Sequence, residues 1–276
     1  MSSRLRPSIS LLFSTLLAGL FACGDDGGGD ELGDDGGSES DTMANGDSDD
    51  TGAGTDMGDT GDTSVATVTV SGDAFAFGPY TMLPGAEVTI LELPEFVVIT
   101  DAAGHFEFPA LPAGAAATFR FEKDGNPVVH TKTFTLPAEG VVERVSFQVP
   151  DDSTFAALAQ IVGIVPDPGA CQIASTVTRV GKSVYDEGAH GEAGATVTIE
   201  PALPVEQGPI YFNDAVIPQK DLVETSTDGG VLYTNVPPGT YTLTAHKSGV
   251  EFESVTVRCE AGVLVNPSPP YGLQAL

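Results

Sequence analysis

One segment combines side chains that could bind a metal ion. Asp186, Glu187, His190 and Glu192 lie within seven residues, and glycines separate them. Carboxylate oxygens and imidazole nitrogens are ligands of divalent cations. If the side chains converged, they could support a metal-dependent enzyme. The same residues suit a solvated hairpin loop in an acidic chain, and we favour the loop.

The remaining sequence contains no grouping that predicts catalysis. Ser183 lies near Asp186 and His190, but neighbours along a strand or loop rarely converge as a catalytic triad does. There is no nucleophile elbow, phosphate-binding loop, H-E-x-x-H motif or paired-cysteine zinc site. We therefore expect no catalytic residue, no metal and no cofactor. Three histidines lack metal-ligand spacing, namely His105, His130 and His246.

A cluster of aromatic and polar residues, Tyr211, Phe212, Asn213 and Asp214, forms the candidate ligand-binding set. It lies in the segment 203–224, which is interpreted as an insertion because Gly194 and Thr227 are 18 positions further apart than the equivalent Gly85 and Thr100 (33 − 15). Sugars stack on exposed aromatic faces, and the chain has no Trp. A glycan or peptidoglycan site here requires Tyr211 or Phe212 to be exposed. The alternative is that these aromatics form extra strands packed on a core.

The chain has three cysteines: Cys23 lies near the N-terminus, and Cys171 and Cys259 lie in the second predicted domain. Apolar residues alternate after Cys171 and before Cys259, so both side chains are expected to point inward from strands. A Cys171–Cys259 disulfide is the prediction for an exported protein. Two separately buried thiols remain the alternative.

Cys23 ends the tetrapeptide Leu20-Phe21-Ala22-Cys23, which follows a basic start and a short apolar stretch. The stretch is shorter than the roughly 20 residues of a membrane-spanning helix, so it indicates a secretory signal. The tetrapeptide resembles the lipobox of bacterial lipoproteins. The resemblance implies a signal peptide at 1–22 and a diacylglycerol-modified Cys23. An ordinary secretory signal with a chance cysteine is the alternative.

Residues 23–63 are predicted to be a disordered tether. From Gly24 to Thr63 there are 14 Asp or Glu and no Lys or Arg. Such a segment cannot bury enough apolar surface to offset the entropy lost on ordering. Residues 47–52 are similar to the start of an EF-hand loop, but Gly58 occupies the position of its closing Glu. We therefore expect no specific calcium site there.

The formal net charge of −28 argues against nucleic acid as a partner. The residues after the tether are enough for two domains. Within them, apolar and polar residues alternate over 117–122 and 240–245, as in half-buried antiparallel strands. We therefore predict an all-β fold of two tandem antiparallel β-sandwiches, at 64–150 and 170–276.

Both predicted domains carry the same landmarks in the same order. The pattern is Gly-Ala-x-Val, then Thr-Asp-x-x-Gly or its equivalent, then a Pro-Gly break, then Lys-x-Gly. It resembles the carboxypeptidase regulatory-like domain, a prealbumin-like sandwich related to starch-binding-like folds. In carboxypeptidases this domain is an accessory beside the catalytic domain. The resemblance therefore implies the fold and no particular activity.

Residues 151–169 are predicted to be a linker with a short helix, capped by Asp152 or Ser153. The helix is expected to pack on one sandwich, and partner docking is the alternative. Its expected apolar face consists of Phe155, Leu158, Ile161 and Val162.

The leading functional hypothesis is a non-catalytic, lipid-anchored envelope protein for adhesion, scaffolding or protein interaction. Its expected partners are the membrane, through the anchor, and an envelope protein or glycan. Glycan binding through the second domain and a metal-dependent enzyme at His190 are the alternatives. Gly24 stands where Asp causes inner-membrane retention in some bacterial families, which favours the outer membrane.

Overall fold

The computed structural model of the chain describes residues 66–78, 80–186 and 190–276. These residues belong to one compact unit, Gly61–Leu276. The predicted signal peptide, the lipidated Cys23 and the acidic tether lie outside the described residues. Among the described residues, no helix combines the length and the hydropathy needed to cross a membrane.

The first β-sandwich contains strands β1 to β10. One sheet has the order β10–β1–β4, with β9 also paired to β1, and β7–β6–β2–β3 faces it; β5 and β8 form a separate pair. The strands are β1 (Thr67–Ala76), β2 (Glu87–Ile90), β3 (Val97–Ile99), β4 (His105–Pro112), β5 (Ala116–Ala117), β6 (Phe119–Glu122), β7 (Val129–His130), β8 (Phe134–Thr135), β9 (Val141–Val142) and β10 (Phe147–Val149).

Helix α1 (Asp152–Ile161) leads into the second sandwich, which contains strands β11 to β19. One sheet has the order β14–β13–β15–β11–β18, with β19 also on β11, and the other is β12–β16–β17. The strands are β11 (Cys171–Thr178), β12 (Thr196–Glu200), β13 (Ile210–Phe212), β14 (Pro218–Gln219), β15 (Gly230–Val236), β16 (Gly239–His246), β17 (Val255–Cys259), β18 (Leu264–Val265) and β19 (Leu273–Gln274), with a 3-10 turn at Val205–Gln207.

Each sandwich has its own hydrophobic core, built by period-two alternation. In β6, Phe119 and Phe121 are fully buried, whereas the alternating Arg120 is half-buried and Glu122 is exposed. β16 alternates in the same way. The prediction of two tandem antiparallel β-sandwiches is therefore confirmed. The residue bounds 64–150, 151–169 and 170–276 stay predictions.

The turn before β4 shows how the repeated landmarks act. The Gly104 N–H donates to the Asp101 carbonyl at 2.9 Å. The Asp101 carboxylate accepts from the backbone N–H groups of Ala103 and His105, at 2.8 and 2.9 Å. Gly104 has φ +75°, a conformation in which a Cβ is unfavourable. The landmark is thus a folding signal, as its residue types indicate.

The two sandwiches share a continuous sheet. β18 of the second sandwich pairs in parallel with β7 of the first, placing Leu264 opposite Val129. A second contact, here called the clasp, joins the loop before residue 187 to the first sandwich. There the Tyr185 hydroxyl donates to the Ser146 carbonyl, and Arg144 pairs with Asp186 at 2.9 Å.

Helix α1 differs from the prediction at its N-cap and on its apolar face. Asp151 is the cap, one residue earlier than expected, and its carboxylate accepts from the Thr154 N–H at 2.6 Å. Ile161 is 51% exposed, whereas Val162 is 3% exposed. At about 100° per residue, Ile161 lies roughly 120° away from Phe155, so the two cannot share a narrow face.

Candidate functional site

A largely apolar cavity among the described residues lies beneath helix α1, and we call it the α1 cleft. It has a cavity volume of about 170 Å³. An outer face of the second sandwich forms its floor, and α1 and the end of the first sandwich form its sides. Its lining includes Phe77, Tyr80, Phe155, Leu158, Val162, Thr176, His190, Phe212, Val216, Asp228, Leu232 and Asn266.

Strand alternation decides which residues reach the α1 cleft. In β15, Val231 and Tyr233 belong to the second core, whereas Leu232 lines the cleft. In β13, Tyr211 belongs to the core and Phe212 lines the cleft. Successive side chains of a strand point to opposite faces, so one sheet supplies both surfaces.

Helix α1 covers the cleft with an apolar stripe. Phe155, Leu158 and Val162 are spaced by three and four residues, the spacing of one helix face. The helix packs against β14, which belongs to the insertion. The expectation that the linker helix packs on a sandwich therefore agrees with the structure.

Gly230 lets the Phe212 ring lie directly over β15. A Cβ at Gly230 would lie 2.8 Å from two carbons of the Phe212 ring and 2.6 Å from Asp228 Oδ2. Distances below 3.0 Å force a neighbouring group to shift. A larger residue at Gly230 would therefore displace the Phe212 ring or the Asp228 carboxylate from its present position.

The cleft has one polar end, where Asp228 and His190 lie. Asp228 is half-buried, and its Oδ2 accepts from the Gly230 N–H at 3.0 Å. Burial raises the pKa of the Asp228 carboxyl, and nearby Asp214 also raises it. The Gly230 hydrogen bond and the charge of His190 oppose this pKa increase. The lining residues include no Lys or Arg, and Asp228 is their one carboxylate, with His190 beside it.

The glycan-binding alternative requires Tyr211 or Phe212 to be exposed, and the structure does not meet that requirement. Tyr211 is 2% exposed and Phe212 is 9% exposed. The Tyr211 hydroxyl accepts from the Val197 N–H at 2.9 Å, so Tyr211 links the two sheets of the second sandwich. The alternative expectation, that these aromatics form extra strands packed on a core, describes β13.

Asn213 and Asp214 hold the turns around the insertion. Asn213 Oδ1 accepts from the N–H groups of Ala215 and Ile217, at 3.0 and 3.1 Å. Asp214 Oδ1 accepts from the Thr227 N–H and hydroxyl, at 3.0 and 2.7 Å. These hydrogen bonds lower the pKa of the Asp214 carboxyl. Neither side chain lines the α1 cleft, although Val216 between β13 and β14 does.

The acidic segment around His190 does not converge in its described part. Asp186 pairs with Arg144 of the first sandwich, and Glu192 pairs with Lys247. Glu187 lies outside the described residues. The Ser183 backbone N–H donates to the Asp186 carboxylate at 2.6 Å. Among the described residues, no group of three or more His, Cys, Asp or Glu could hold a metal ion.

The predicted disulfide between Cys171 and Cys259 is confirmed. The two Cα atoms are 5.7 Å apart, within the range that a disulfide spans. The bond ties β11 to β17 and thus joins the two sheets of the second sandwich.

The α1 cleft was not predicted from the sequence. Two features pointed towards it: the apolar helical stripe in the linker and the adjacent aromatics of β13. Because successive residues of a strand face opposite ways, Tyr211 lies in the core and Phe212 lines the cleft.

Comparisons with known proteins add little to this geometry. No family model and no curated protein matches the chain. Among solved structures, 73% of the present chain matches the Bacillus anthracis TIE protein at 14% identity, with a TM-score of 0.26. It also matches a streptococcal ancillary pilin over 75% of the present chain, at 16% identity and a TM-score of 0.24. The match to the minor pilin of Streptococcus agalactiae covers 76% of the present chain, at 12% identity and a TM-score of 0.25.

The chain spans 33% of the length of the first of these proteins, 64% of the second and 95% of the third. At such TM-scores none of the matches bears on what this chain does. The assignment as a β-sandwich protein rests on the strands and sheets described above.

Proposed function

We propose that this chain is a non-catalytic, lipid-anchored protein of the cell envelope that presents a rigid two-sandwich body to a partner. The observation that carries the proposal is the junction between the sandwiches. A ten-stranded sheet runs through both of them, and the clasp fixes them at a second place. Two joined domains of fixed geometry suit a scaffold or an adhesion module.

The non-catalytic part of the proposal is supported by how the polar side chains are used. Asp73 pairs with His105 at 2.9 Å, and Thr198 contacts the ring of His246 at 2.8 Å. Asp214 and Asp186 are likewise engaged in structural contacts. Side chains committed to holding the fold are poorly placed for proton transfer or nucleophilic attack.

The anchoring part of the proposal rests on the lipobox-like tetrapeptide and on the acidic residues that follow it. A diacylglycerol at Cys23 with a further acyl chain would supply the two lipid signals that stable anchoring requires. Residues 24–63 would then hold the sandwiches away from the bilayer, and Gly24 favours the outer membrane. The regulatory-like resemblance fits an accessory, non-catalytic module.

Anchoring is tested by expressing the full chain and a Cys23→Ser variant in a bacterial host with a labelled fatty acid. We expect the wild-type chain to carry label and to fractionate with membranes. The variant should carry no label and should be released in soluble form. Equal labelling or equal membrane partition of the two chains would overturn the lipid anchor.

The scaffold role is tested by cross-linking in intact cells. The wild-type chain is compared with Tyr185→Ala, which removes a clasp side chain, and with Tyr241→Ala, which removes a tyrosine of the second core. A discrete cross-linked partner should be weakened by the clasp variant if fixed geometry matters. A partner retained in full by Tyr185→Ala but lost with Tyr241→Ala would assign binding to the second sandwich alone.

A further inference from the structure

We propose that the α1 cleft binds a small apolar molecule that carries one hydrogen-bond-donating group, an ammonium or a hydroxyl, directed at Asp228. The inference goes beyond the envelope function, because the cleft would bind the same ligand in a chain without a lipid anchor.

The size of the cavity sets the size of the ligand. A cavity of about 170 Å³ compares with engineered apolar cavities of roughly 150 Å³ that accept benzene. Protein interiors contain few voids larger than a water molecule. A space for about one aromatic ring, walled by Phe155, Phe212 and Leu232, is therefore suited to an apolar guest.

The chemistry at the polar end selects the functional group. Asp228 is the acidic side chain among the lining residues, and its Oδ2 accepts one hydrogen bond from Gly230. An ionised carboxylate has about four acceptor sites, so capacity for another donor remains. A ligand with an ammonium or hydroxyl would supply that donor, and a carboxylate ligand would be repelled. A half-buried pair of this kind is screened less than a surface pair.

Backbone strain at the rim is a second feature of the site. Tyr80 and Val216 line the cleft and have φ values of 54° and 59°. A β-branched residue such as Val216 is a genuine outlier in this region. Strained positions of this kind cluster at ligand clamps, where the surrounding structure holds them. The two residues are 56% and 41% exposed, so they also mark where a ligand could enter.

The test uses three probes with the same ring: benzylamine, toluene and benzoate. The full chain carrying Cys23→Ser is titrated with each probe, and methyl NMR signals are followed. We expect shifts at Leu158, Val162, Val216 and Leu232. Benzylamine should bind about tenfold tighter than toluene, because a charge-assisted hydrogen bond adds to the apolar contact. Benzoate should not bind.

Variants separate the acidic end from the apolar cavity. Asp228→Asn should reduce benzylamine affinity about tenfold and leave toluene unchanged. Asp221→Asn, at an exposed carboxylate that does not line the cleft, is the matched control and should change neither. Leu158→Trp should fill the cavity and abolish binding of both probes. If that variant does not fold, Val216→Trp obstructs the cleft from the turn between β13 and β14.

Three outcomes would overturn the proposal: no binding of any probe at millimolar concentration, equal binding of benzylamine and benzoate, or shifts confined to residues away from the cleft. Because the Cys23→Ser chain cannot carry the lipid, each of these outcomes leaves the anchoring experiment unaffected. Failure of the anchor would likewise leave a positive titration intact.

Discussion

The two sandwiches pair their equivalent central strands in the same register. Val70 of β1 lies opposite Phe108 of β4, and Ile173 of β11 lies opposite Tyr233 of β15. Both pairings contain one register shift near the start of the first strand. The backbone frame is therefore repeated, including its irregularity, while the side chains in equivalent positions differ.

The side chains complete the two cores by different means. In the first core the phenylalanine rings contact one another, and the Phe108 and Phe119 centroids are 5.7 Å apart. In the second core the Tyr233 hydroxyl donates to the Val197 carbonyl at 3.0 Å, and the Cys171–Cys259 disulfide crosses between the sheets. One frame thus accommodates a core held by packing and a core held by specific cross-links.

The largest difference lies between β2 and β4 of the first sandwich and between the equivalent strands β12 and β15 of the second. In the first sandwich this segment forms β3, which extends the sheet of β2. In the second sandwich the insertion forms β13 and β14, which extend the opposite sheet through β15. That extension supplies a wall of the α1 cleft. The cleft is therefore built from what the second copy adds to the shared frame.

The largest predicted effect follows from removing the disulfide. Cys171→Ala with Cys259→Ala opens a loop across a sequence separation of 88 residues, and the loop-entropy model assigns about 4–5 kcal/mol to such a bond. We expect hydrogen exchange to show faster opening of β12, β16 and β17 than of β2 and β6. Val68→Ala, at the position equivalent to Cys171, is the control and should loosen the first sandwich instead. Uniform loss of protection in both sandwiches would contradict the expectation that the disulfide acts mainly on the second sandwich.

A substitution in the first core should have a slightly smaller effect. Phe119 is fully buried, and its ring contacts Phe108 and Phe134. Phe119→Ala is expected to cost about 4 kcal/mol in the free energy of unfolding, because it leaves a cavity. Urea unfolding measures the loss. Phe134→Ala, at a half-buried ring, is the comparison; if it costs as much as Phe119→Ala, the rings do not share the core as described.

Acid should destabilise the junction through His130. This histidine is 1% exposed, and its two ring nitrogens have no hydrogen-bond partner among the described residues. Burial lowers the pKa of His130 from 6.5 to about 4, and the charges of Arg120 and Arg258 add to the effect. Between these pH values the unfolded chain binds a proton that the folded chain does not. Stability should therefore fall by about 3 kcal/mol as the pH drops from 6.5 to 4.

Denaturant unfolding at several pH values measures this dependence, and His130→Leu should remove it. Hydrogen bonds lower the pKa values of Asp151, Asp186 and Asp214, so the stability that they contribute is lost in a separate window at lower pH. A wild-type chain equally stable at pH 4.5 and pH 6.5 would show that His130 is protonated without cost.

The sequence predicts the strands and the repeated arrangement of the two sandwiches, but it does not predict the α1 cleft. Alternation and turn residues predict the strands, the repeat and the inward direction of Cys171 and Cys259. They do not say which sheet an inserted strand joins, because β13 could extend either one. They also do not say that α1 covers an outer face, since covered and solvated apolar residues look alike in a short segment. Both gaps left the placement of Tyr211 and Phe212 undecided between an exposed face and extra packed strands.

The smallest predicted effect comes from exchanging the aromatic residues at one equivalent position of the two cores. Phe108 and Tyr233 occupy equivalent positions opposite Val70 and Ile173. Tyr233→Phe removes a hydroxyl that donates to Val197, and we expect a loss of about 1–2 kcal/mol. The reciprocal Phe108→Tyr should also destabilise the chain, because it buries a hydroxyl among rings that offer no acceptor. Thermal unfolding measures both variants. If Phe108→Tyr is neutral, the first core tolerates a polar group, and packing alone does not distinguish the two sandwiches.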